Sequence, residues 1–532
     1  MKIRKLGEKK QLIMKMNYVK TVEKWGLLEV AVDGPKEGNP FCDQWIRGTF
    51  KSKNENKTVD GFYDGDGVYK VRFMPSFEED YTFEIEASFL NKETTVGGEA
   101  DIENDGGGSF AAVAPSKENH GPVRVAGTYY LAYEDGKPYH CLGTTCYVWN
   151  LQNEKLQEQT LKTLEKNAFN KIRFCIFPKH YDYNLHEPIS YPFEGTPCDN
   201  SRLNENNFAE YNGCAPGNNW DFTRFNPAHF QHIEECIKKL MAMGIEADLI
   251  VMHPYDRWGF SMMSAEADDR YWKYVLARFS AFRNVWWSLA NEYDLMKEKT
   301  LADWERYAKI ICEKDPYHHL RSIHNCKAYY DYNLPWVTHC SIQRTETYRS
   351  SELVNEWREK YHKPVVLDEI CYEGNIQFGW GNISGEEMTR RFWEAFCRGG
   401  YPGHGETYLS PDRILWWSHG GVLHGTSPER IKFLAKIMEE TPGLGVEPMP
   451  CKWDEVACRV AGFPARKDYF IYYYTFMRPS FRDFYIDDTT EYQVEIIDTW
   501  EMTITDGGIH KGKFRVQLPG KEYMAVRLKV VK

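Results

Sequence analysis

The chain has 532 residues, of which 15% are aromatic, and its formal net charge at pH 7 is −11. This length exceeds one ordinary hydrophobic core and predicts about two to four domains. The negative charge is spread along the sequence without a basic block, which argues against a nucleic-acid partner. The sequence also lacks the run of about 18 apolar residues that would predict a membrane-spanning helix.

The fourteen cysteines are scattered, without a C-x-x-C pair or a spacing typical of a zinc site. Scattered cysteines without such spacing are typical of proteins from a reducing compartment. The first ten residues are charged and lack the apolar core of a signal peptide. We therefore expect a cytoplasmic protein that uses no metal and no other cofactor. The sequence leaves the oligomeric state open, a homo-oligomer included.

The first 122 residues show the pattern of a β-sandwich. Short alternating segments at 27–32, 69–73 and 81–86 are separated by clusters of Gly, Asp and Asn. Such spacing is typical of antiparallel strands, and it predicts an N-terminal, immunoglobulin-like β-sandwich over residues 1–122.

Residues 123–442 show strands alternating with amphipathic helices, which predicts a catalytic (β/α)8 barrel. The clearest helix has Asn226 as its N-cap and Pro227 as its first residue, and it ends at Gly244. Two more apolar stripes lie at 271–279 and 353–361. The eight expected strands are 141–149, 171–177, 245–252, 285–292, 321–325, 337–343, 364–369 and 401–408. The rival topology is a doubly wound sheet, but residues 143–145 do not form its phosphate loop.

The remaining residues, 443–532, are rich in β-strand patterns again. Alternating or apolar segments at 469–474, 493–497 and 524–528 predict a C-terminal β-sandwich. The sequence thus predicts a multidomain protein in which a (β/α)8 barrel lies between two β-sandwiches.

Two of the expected barrel strands end in a glutamate. The run Val-Trp-Trp-Ser-Leu-Ala-Asn-Glu ends at Glu292, and the run Pro-Val-Val-Leu-Asp-Glu ends at Glu369. The chemistry of a (β/α)8 barrel lies at the carboxyl ends of its strands, and a glycosidase requires a pair of carboxyl groups. Burial among aromatic rings would raise the pKa of Glu292, while Arg173 on the second strand would lower the pKa of Glu369.

Asn291-Glu292 on strand four, Glu369 on strand seven and Arg173 on strand two resemble the clan A retaining (β/α)8 glycosidases. Five further segments are similar to an apiosidase-like group whose flanking sandwiches are domains of unknown function; they lie at 61–65, 71–75, 142–147, 252–258 and 368–374. The resemblance implies that Glu292 is the acid/base and Glu369 the nucleophile, with their carboxyl groups about 5 Å apart. Glu373 is an alternative nucleophile if strand seven ends later.

Other residues near the strand ends are candidates for substrate binding. The polar candidates would bind sugar hydroxyls, and the tryptophans would stack under a sugar ring. The polar candidates are Asn291 beside the reacting carbon, His253 and Asp256 after strand three, Gln343 on strand six and Glu406 on strand eight. The tryptophan candidates are Trp149 on strand one and Trp416 or Trp417 after strand eight.

The favoured function is retaining hydrolysis of a plant- or microbe-derived oligosaccharide. Exo action is expected because the long loop 181–219 and the two sandwiches would wall off a cleft. Two alternatives remain. One is a metal-dependent barrel hydrolase with ligands from His253, His324, Asp368 and His404, although the sequence has no H-x-H on strand one and no H-E-x-x-H. The other is a non-catalytic carbohydrate-binding protein.

Overall fold

The computed structural model describes residues 16–90, 106–181, 183, 188–204 and 214–531. Two segments named in the sequence analysis lie outside the described residues. They are the first ten residues and part of the loop 181–219. Within the described chain, an eight-stranded parallel barrel lies between two all-β regions. The predicted fold class is confirmed, whereas the exact domain boundaries stay a prediction.

The N-terminal region is a sandwich of two sheets around one apolar core. One sheet has the order β1-β3-β7-β6 and the other the order β2-β9-β8-β4-β5. In β8 every second residue is buried, as expected for a strand with one face on a core. The elements are β1 Met16–Asn17, β2 Thr21–Glu23, β3 Leu28–Asp33, α1 Pro40–Asp43, β4 Ile46–Lys51, β5 Asn56–Asp60, β6 Phe62–Tyr63, β7 Val68–Phe73, β8 Asp80–Ala87 and β9 Gly107–Val113. The predicted segments correspond to β3, β7 and β8.

The central region contains fourteen strands, eight of which form the barrel. In chain order they are β10 Val123–Ala126, β11 Tyr130–Tyr133, β12 Gly143–Thr145, β13 Lys171–Cys175, β14 Phe193–Thr196, β15 Asn219–Phe225, β16 Glu246–Met252, β17 Val285–Ala290, β18 Arg321–Ser322, β19 Cys340–Gln343, β20 Val365–Glu369, β21 Glu373–Gly374, β22 Tyr401–His404 and β23 Glu406–Thr407. The barrel order is β18-β17-β16-β13-β12-β22-β20-β19. A parallel bridge between His324 and Ser341 joins its two ends, so the eight strands form a ring.

Helices connect the barrel strands and cover their outer surface. They are α2 Glu154–Lys166, α3 Pro227–Ala242, α4 Ala265–Phe279, α5 Leu301–Lys314, α6 Val354–Tyr361, α7 Gly385–Cys397, α8 Trp416–His419 and α9 Ser427–Glu439. Helix α3 begins after Asn226 with Pro227 at its first position, as predicted. Gly244 follows it with a φ of +70°, a conformation in which glycine is favoured. The apolar stripes at 271–279 and 353–361 correspond to α4 and α6.

All eight barrel strands are shorter than predicted, and the difference is largest for β12 and among the largest for β22. Strand β12 ends at Thr145, and Trp149 begins a 3₁₀ helix, Trp149–Leu151. Strand β22 ends at His404, and the chain then turns so that Glu406 belongs to β23, which pairs with β21 outside the barrel. The turn is possible because Gly405 has no side chain: a Cβ there would lie 2.0 Å from the ring of Tyr372.

The C-terminal region has a six-stranded sheet of order β24-β25-β26-β31-β28-β29 and a hairpin of β27 and β30. The strands are β24 Val446–Pro448, β25 Val456–Val460, β26 Tyr469–Tyr473, β27 Phe481–Tyr485, β28 Tyr492–Asp498, β29 Thr503–His510, β30 Lys513–Gln517 and β31 Met524–Val530. One face of the sheet packs on helix α7, where the rings of Trp393 and Tyr473 are 5.7 Å apart. This face shares the apolar core of the barrel.

Four buried charged side chains join the N-terminal sandwich to the barrel. Arg72 on β7 pairs with Glu234 on α3 through Nη1 and Oε1, 2.6 Å apart. Arg278 on α4 pairs with the same Glu234 oxygen at 2.6 Å and with Asp64 of the sandwich at 2.7 Å. Each arginine therefore contacts a carboxylate on the other side of the interface, and this contact offsets the free-energy cost of burying the arginine.

All fourteen cysteines are free, and nine of them are buried. Among the described residues, no helix is both long enough and apolar enough to cross a bilayer.

Candidate active site

Glu292 lies two residues past the end of β17 and is 6% exposed. Its φ of +51° is left-handed, which is uncommon for a residue with a side chain and costs about 1–3 kcal/mol. Three donors hold its carboxyl group in place. Gln343 donates to Oε1 at 3.0 Å, Asn291 donates to Oε2 at 3.2 Å, and the hydroxyl of Tyr255 donates to Oε2. The surrounding side chains thus stabilise a strained backbone, as is typical of functional sites.

Glu369 is the last residue of β20 and is 5% exposed. Three side chains contact its Oε1. Arg173 donates from Nη1 at 3.3 Å, His324 Nε2 lies at 3.3 Å, and the hydroxyl of Tyr147 donates as well. The contact with Arg173 was predicted, while those with His324 and Tyr147 were not.

The two glutamates belong to one hydrogen-bond network. Arg173 donates to Asn291 Oδ1 at 3.0 Å, and Asn291 in turn donates to Glu292. On the other side, His324 Nε2 lies 3.0 Å from Gln343 Oε1, and Gln343 donates to Glu292. Glu292 and Glu369 are therefore connected twice and lie at the same end of the barrel.

The environment shifts the pKa values of the two carboxyl groups in opposite directions. Burial, and next the negative charge of Glu369, raise the pKa of Glu292. Burial alone would also raise the pKa of Glu369, but the hydrogen bond and charge of His324, the charge of Arg173 and the Tyr147 hydroxyl together lower it to about 2. Two carboxyl groups whose pKa values are separated in this way are suited to act as acid and nucleophile.

A layer of buried charges lies beneath the two glutamates. Lys171 on β13 contacts Asp248 at 2.6 Å and Asp368 at 2.7 Å, and Arg173 lies 3.8 Å and 4.0 Å from the same two aspartates. Asp368 also accepts a hydrogen bond from Ser341. This layer fixes the Arg173 guanidinium, which makes Arg173 a structural and an electrostatic group at once.

Glu373, the alternative nucleophile, has a different role. Its Oε1 accepts the backbone N–H of Thr426 at 2.7 Å and its Oε2 that of Ser427 at 3.0 Å, so the carboxylate caps the start of α9. Glu406 similarly accepts the backbone N–H groups of His424 and Gly425. Glu406 therefore has a structural role, since each of its oxygens accepts one backbone N–H, and its binding of sugar hydroxyls stays a prediction.

The two residues predicted after strand three differ in outcome. Asp256 accepts four hydrogen bonds from Trp258, Gly259 and Ser261, at 2.6–3.1 Å, and holds its own loop together. Its prediction as a sugar ligand is therefore wrong. His253 contacts the carbonyl of Phe177 at 3.4 Å through Nε2, while Nδ1 has no partner among the described residues. Burial lowers the pKa of His253 to about 3, so a neutral ring remains a candidate for a sugar hydroxyl.

The tryptophans also separate into core and site residues. Trp149 is fully buried and packs on Phe174, with ring centroids 5.7 Å apart. Trp416 is buried as well, and its indole donates to Thr144 at 2.8 Å. Neither offers a face to a sugar, so both predictions are wrong. Trp417 is 3% exposed, but it lies edge-on to Tyr147, 5.6 Å away, in a separate cluster beside the two glutamates, and its role as a stacking platform stays a prediction.

Sequence reasoning missed the roles of Tyr147, Lys179 and Tyr255. Tyr147 lies two residues past β12, and Lys179 lies four residues past β13. Tyr255 is part of a segment that we singled out only for its family resemblance. All three lie just past the carboxyl end of a barrel strand, and this position could have predicted a place near the active site.

The predicted metal ligands do not converge on one site. The one group in the described part of the chain that is close enough to hold a metal consists of Glu373, His404 and Glu406. It excludes His253, His324 and Asp368, and its two carboxylates face backbone N–H groups, which disfavour a cation. This arrangement gives no support to the metal-dependent alternative.

Three parts of the chain match known families. Residues 126–441 match the family described as "Apiosidase-like, catalytic domain". Residues 21–88 and 453–529 match two domains of unknown function, DUF5060 and DUF5605. No curated protein matches the chain.

Among solved structures, a candidate glycoside hydrolase from Bacteroides vulgatus is 37% identical, with a TM-score of 0.86. The match covers 96% of this chain and 100% of that one. An endo-β-1,4-mannanase from Thermotoga petrophila is 12% identical over 72% of this chain and 92% of its own, with a TM-score of 0.39. An α-amylase from Anoxybacillus is 10% identical over 74% of this chain and 98% of its own, with a TM-score of 0.43.

The catalytic-domain match spans more than half of the chain, and it covers the barrel strands that carry Glu292 and Glu369. The chain therefore belongs to the apiosidase-like family of glycoside hydrolases.

Proposed function

We propose that the protein hydrolyses a glycosidic bond with retention of anomeric configuration, using Glu369 as nucleophile and Glu292 as acid/base. The observation that carries this proposal is the opposite shift of their two pKa values within one hydrogen-bond network. Glu369 favours the ionised form that attacks carbon, and Glu292 favours the protonated form that a leaving group requires.

In the first step, Glu369 forms a bond to the anomeric carbon while the bond to the leaving oxygen breaks. Glu292 gives its proton to that oxygen, so the departing fragment leaves as a neutral alcohol. In the second step, Glu292 takes a proton from water, the water oxygen bonds to the anomeric carbon, and Glu369 is released as a carboxylate. Tyr147, Arg173 and His324 stabilise the negative charge on Glu369 at the start and end of this cycle.

The proposed substrate is a short plant- or microbe-derived oligosaccharide that is cleaved from one end. Support comes from the burial of both glutamates and from the aromatic rings around them. Trp417 lies 5.1 Å from Trp380 and 6.1 Å from Tyr181. Buried carboxyl groups with rings packed beside them suit a terminal sugar better than the middle of a long chain. We also propose a cytoplasmic location on the basis of the free cysteines, whereas oligomerisation remains a matter for measurement.

A panel of aryl glycosides tests the reaction, with NMR of the first-formed anomer as the stereochemical readout. We expect the retained anomer. We expect E369Q to lose about 10³-fold or more in kcat/KM on every glycoside, and E292Q to lose at least about 100-fold on glycosides with a poor leaving group, such as phenyl glycosides. E298Q is the matched control, because Glu298 is an exposed glutamate of the loop that follows β17. An inverted first product would contradict the double displacement, and full activity in E292Q would contradict the acid/base assignment. Binding of sugars without turnover of any glycoside would favour a carbohydrate-binding protein.

A further inference from the structure

Lys179 is a buried cation surrounded by aromatic rings. It lies four residues past β13 and is 5% exposed. Its Nζ is 3.4 Å from the ring centroid of Tyr147, 4.4 Å from that of Tyr255, 4.6 Å from that of Trp417 and 5.5 Å from that of Tyr181. These four rings, which we call the aromatic cage, attract the ammonium through their negative faces.

Within the described residues, no side chain or backbone atom accepts a hydrogen bond from the Lys179 Nζ, and no carboxylate lies within ion-pair distance of it. An ammonium has three donors, and lysines are rarely this buried unless they are paired. Lys171 provides the contrast in the same barrel, since it is equally buried and contacts two aspartates at 2.6 and 2.7 Å. The aromatic cage therefore holds the charge of Lys179 but leaves its directional hydrogen bonds unused.

The aromatic cage borders the reaction centre. The hydroxyl of Tyr147 donates to Glu369 and that of Tyr255 donates to Glu292. Two walls of the cage are therefore the same rings that hold the two catalytic carboxyl groups. Each of these two rings connects Lys179 to one of the carboxyl groups, so a sugar between Glu292 and Glu369 would lie beside the aromatic cage.

We propose that Lys179 binds an anionic substituent of the sugar, so that the preferred substrate is a glycoside with a carboxylate, as in a glycuronide, or with a sulfate. This proposal rests on the proposed function, because it places the sugar between the two glutamates. The amides of Asn291 and Gln343 are held by Glu292, Arg173 and His324, whereas the Lys179 ammonium has no hydrogen-bond partner among the described residues. An ammonium without a hydrogen-bond partner adds recognition of charge, since a hydrogen bond between two charged groups is about twice as strong as one between neutral groups.

The charged groups around Lys179 are compatible with this role. Burial is the main cause that lowers the pKa of Lys179, to about 8, against the opposing influence of Cys175, Glu292 and Glu369. The ammonium therefore remains the major form at neutral pH. Arg173 acts in the same direction as burial, and its own carboxylate partners are already in place.

The test compares pairs of 4-nitrophenyl glycosides that differ only at C6, as carboxylate, sulfate ester or free hydroxymethyl group, in both the gluco and galacto series and both anomers. We expect wild-type kcat/KM to favour an anionic member over its neutral parent by about 10- to 100-fold, the range of a hydrogen bond to a charged group. The carboxylate and sulfate arms show which anion fits. K179M should reduce this ratio to near one, and K179R should retain part of it. Thermal unfolding of each variant verifies that it is folded.

Two results would overturn the proposal while leaving the glycosidase assignment intact. One is a neutral parent that is turned over as well as its anionic partners. The other is a K179M variant that loses the same factor on both members of a pair, which would mean that Lys179 only supports the aromatic cage. If no glycoside is turned over, equilibrium binding of free glucuronic and galacturonic acids, compared with glucose and galactose, decides the question. Binding of an acid that is lost in K179M supports the proposal, and equal or absent binding overturns it.

Discussion

Replacing Glu373 and Glu369 separately by glutamine distinguishes the two candidate nucleophiles. The two residues lie four positions apart in the sequence, and both are buried. The structure predicts opposite outcomes for them. E369Q should lose activity and keep its fold, whereas E373Q should lose stability and keep its activity.

The stability loss of E373Q can be worked from its contacts. Thr426 and Ser427 donate from the first turn of α9, at 2.7 and 3.0 Å, to the two oxygens of Glu373. Glutamine keeps one oxygen and turns an NH2 group towards the other amide, which removes one charge-assisted hydrogen bond of about 1.5–3 kcal/mol. The lost charge at the helix start adds about 0.3–1 kcal/mol. Relief of repulsion with Glu406 is small, because burial raises the pKa of Glu406 to about 8 and keeps it mostly neutral.

We therefore expect E373Q to unfold about 2–4 kcal/mol more easily, with a melting temperature about 2–6 °C lower. Its kcat/KM at 25 °C should stay within about threefold of wild type. E369Q should lose about 10³-fold or more in kcat/KM, since the covalent route is closed. Calorimetry and a glycoside assay on both variants measure the two quantities. An inactive, stable E373Q beside an active E369Q would refute the assignment of Glu369.

Further predictions concern the acid/base and its surroundings. E292Q should retain much of its activity on a dinitrophenyl glycoside, which needs no proton, and azide should rescue it with formation of a glycosyl azide of retained configuration. The kcat/KM of wild type should fall as the pH rises through the raised pKa of Glu292. Glu369 should stay ionised down to a pH of about 2. The pH profile of E292Q should lack the fall at alkaline pH. Y255F removes a hydrogen bond that lowers the pKa of Glu292, so the alkaline fall should move to higher pH; a shift to lower pH would contradict the geometry.

The barrel and its two glutamates could be predicted because each depends on a local pattern. Strands of a parallel barrel are buried on both faces and give continuous apolar runs, as at 285–290 and 365–367. A carboxylate directly after such a run lies at the end of the barrel where the chemistry occurs. Glu292 and Glu369 follow from this rule, while Arg173 could be predicted because a charged residue is unusual within a buried strand.

The surrounding residues could not be predicted, because their roles depend on loop conformation. Trp149, Trp416 and Trp417 look alike in the sequence and are all buried, but only the turn taken after each strand decides which ring packs in the barrel core and which packs on Tyr147. Asp256 looks like a sugar ligand in the sequence, but in the fold four donors of its own loop occupy its two oxygens. The unpaired state of Lys179 is a property of everything around it, and no single segment of sequence contains that information.

The buried arginines Arg72 and Arg278 make the N-terminal sandwich more than an appended module. Removal of residues 16–113 would take away Asp64 and would uncover Arg278 and Glu234 on the outer helices of the barrel. The isolated barrel would then expose these charged side chains, without their partners, on the surface that the N-terminal sandwich had covered. Attempts to produce the enzymatic portion by itself should consequently yield aggregated or poorly expressed material, and trimming for crystallisation is safer at loops than at this junction.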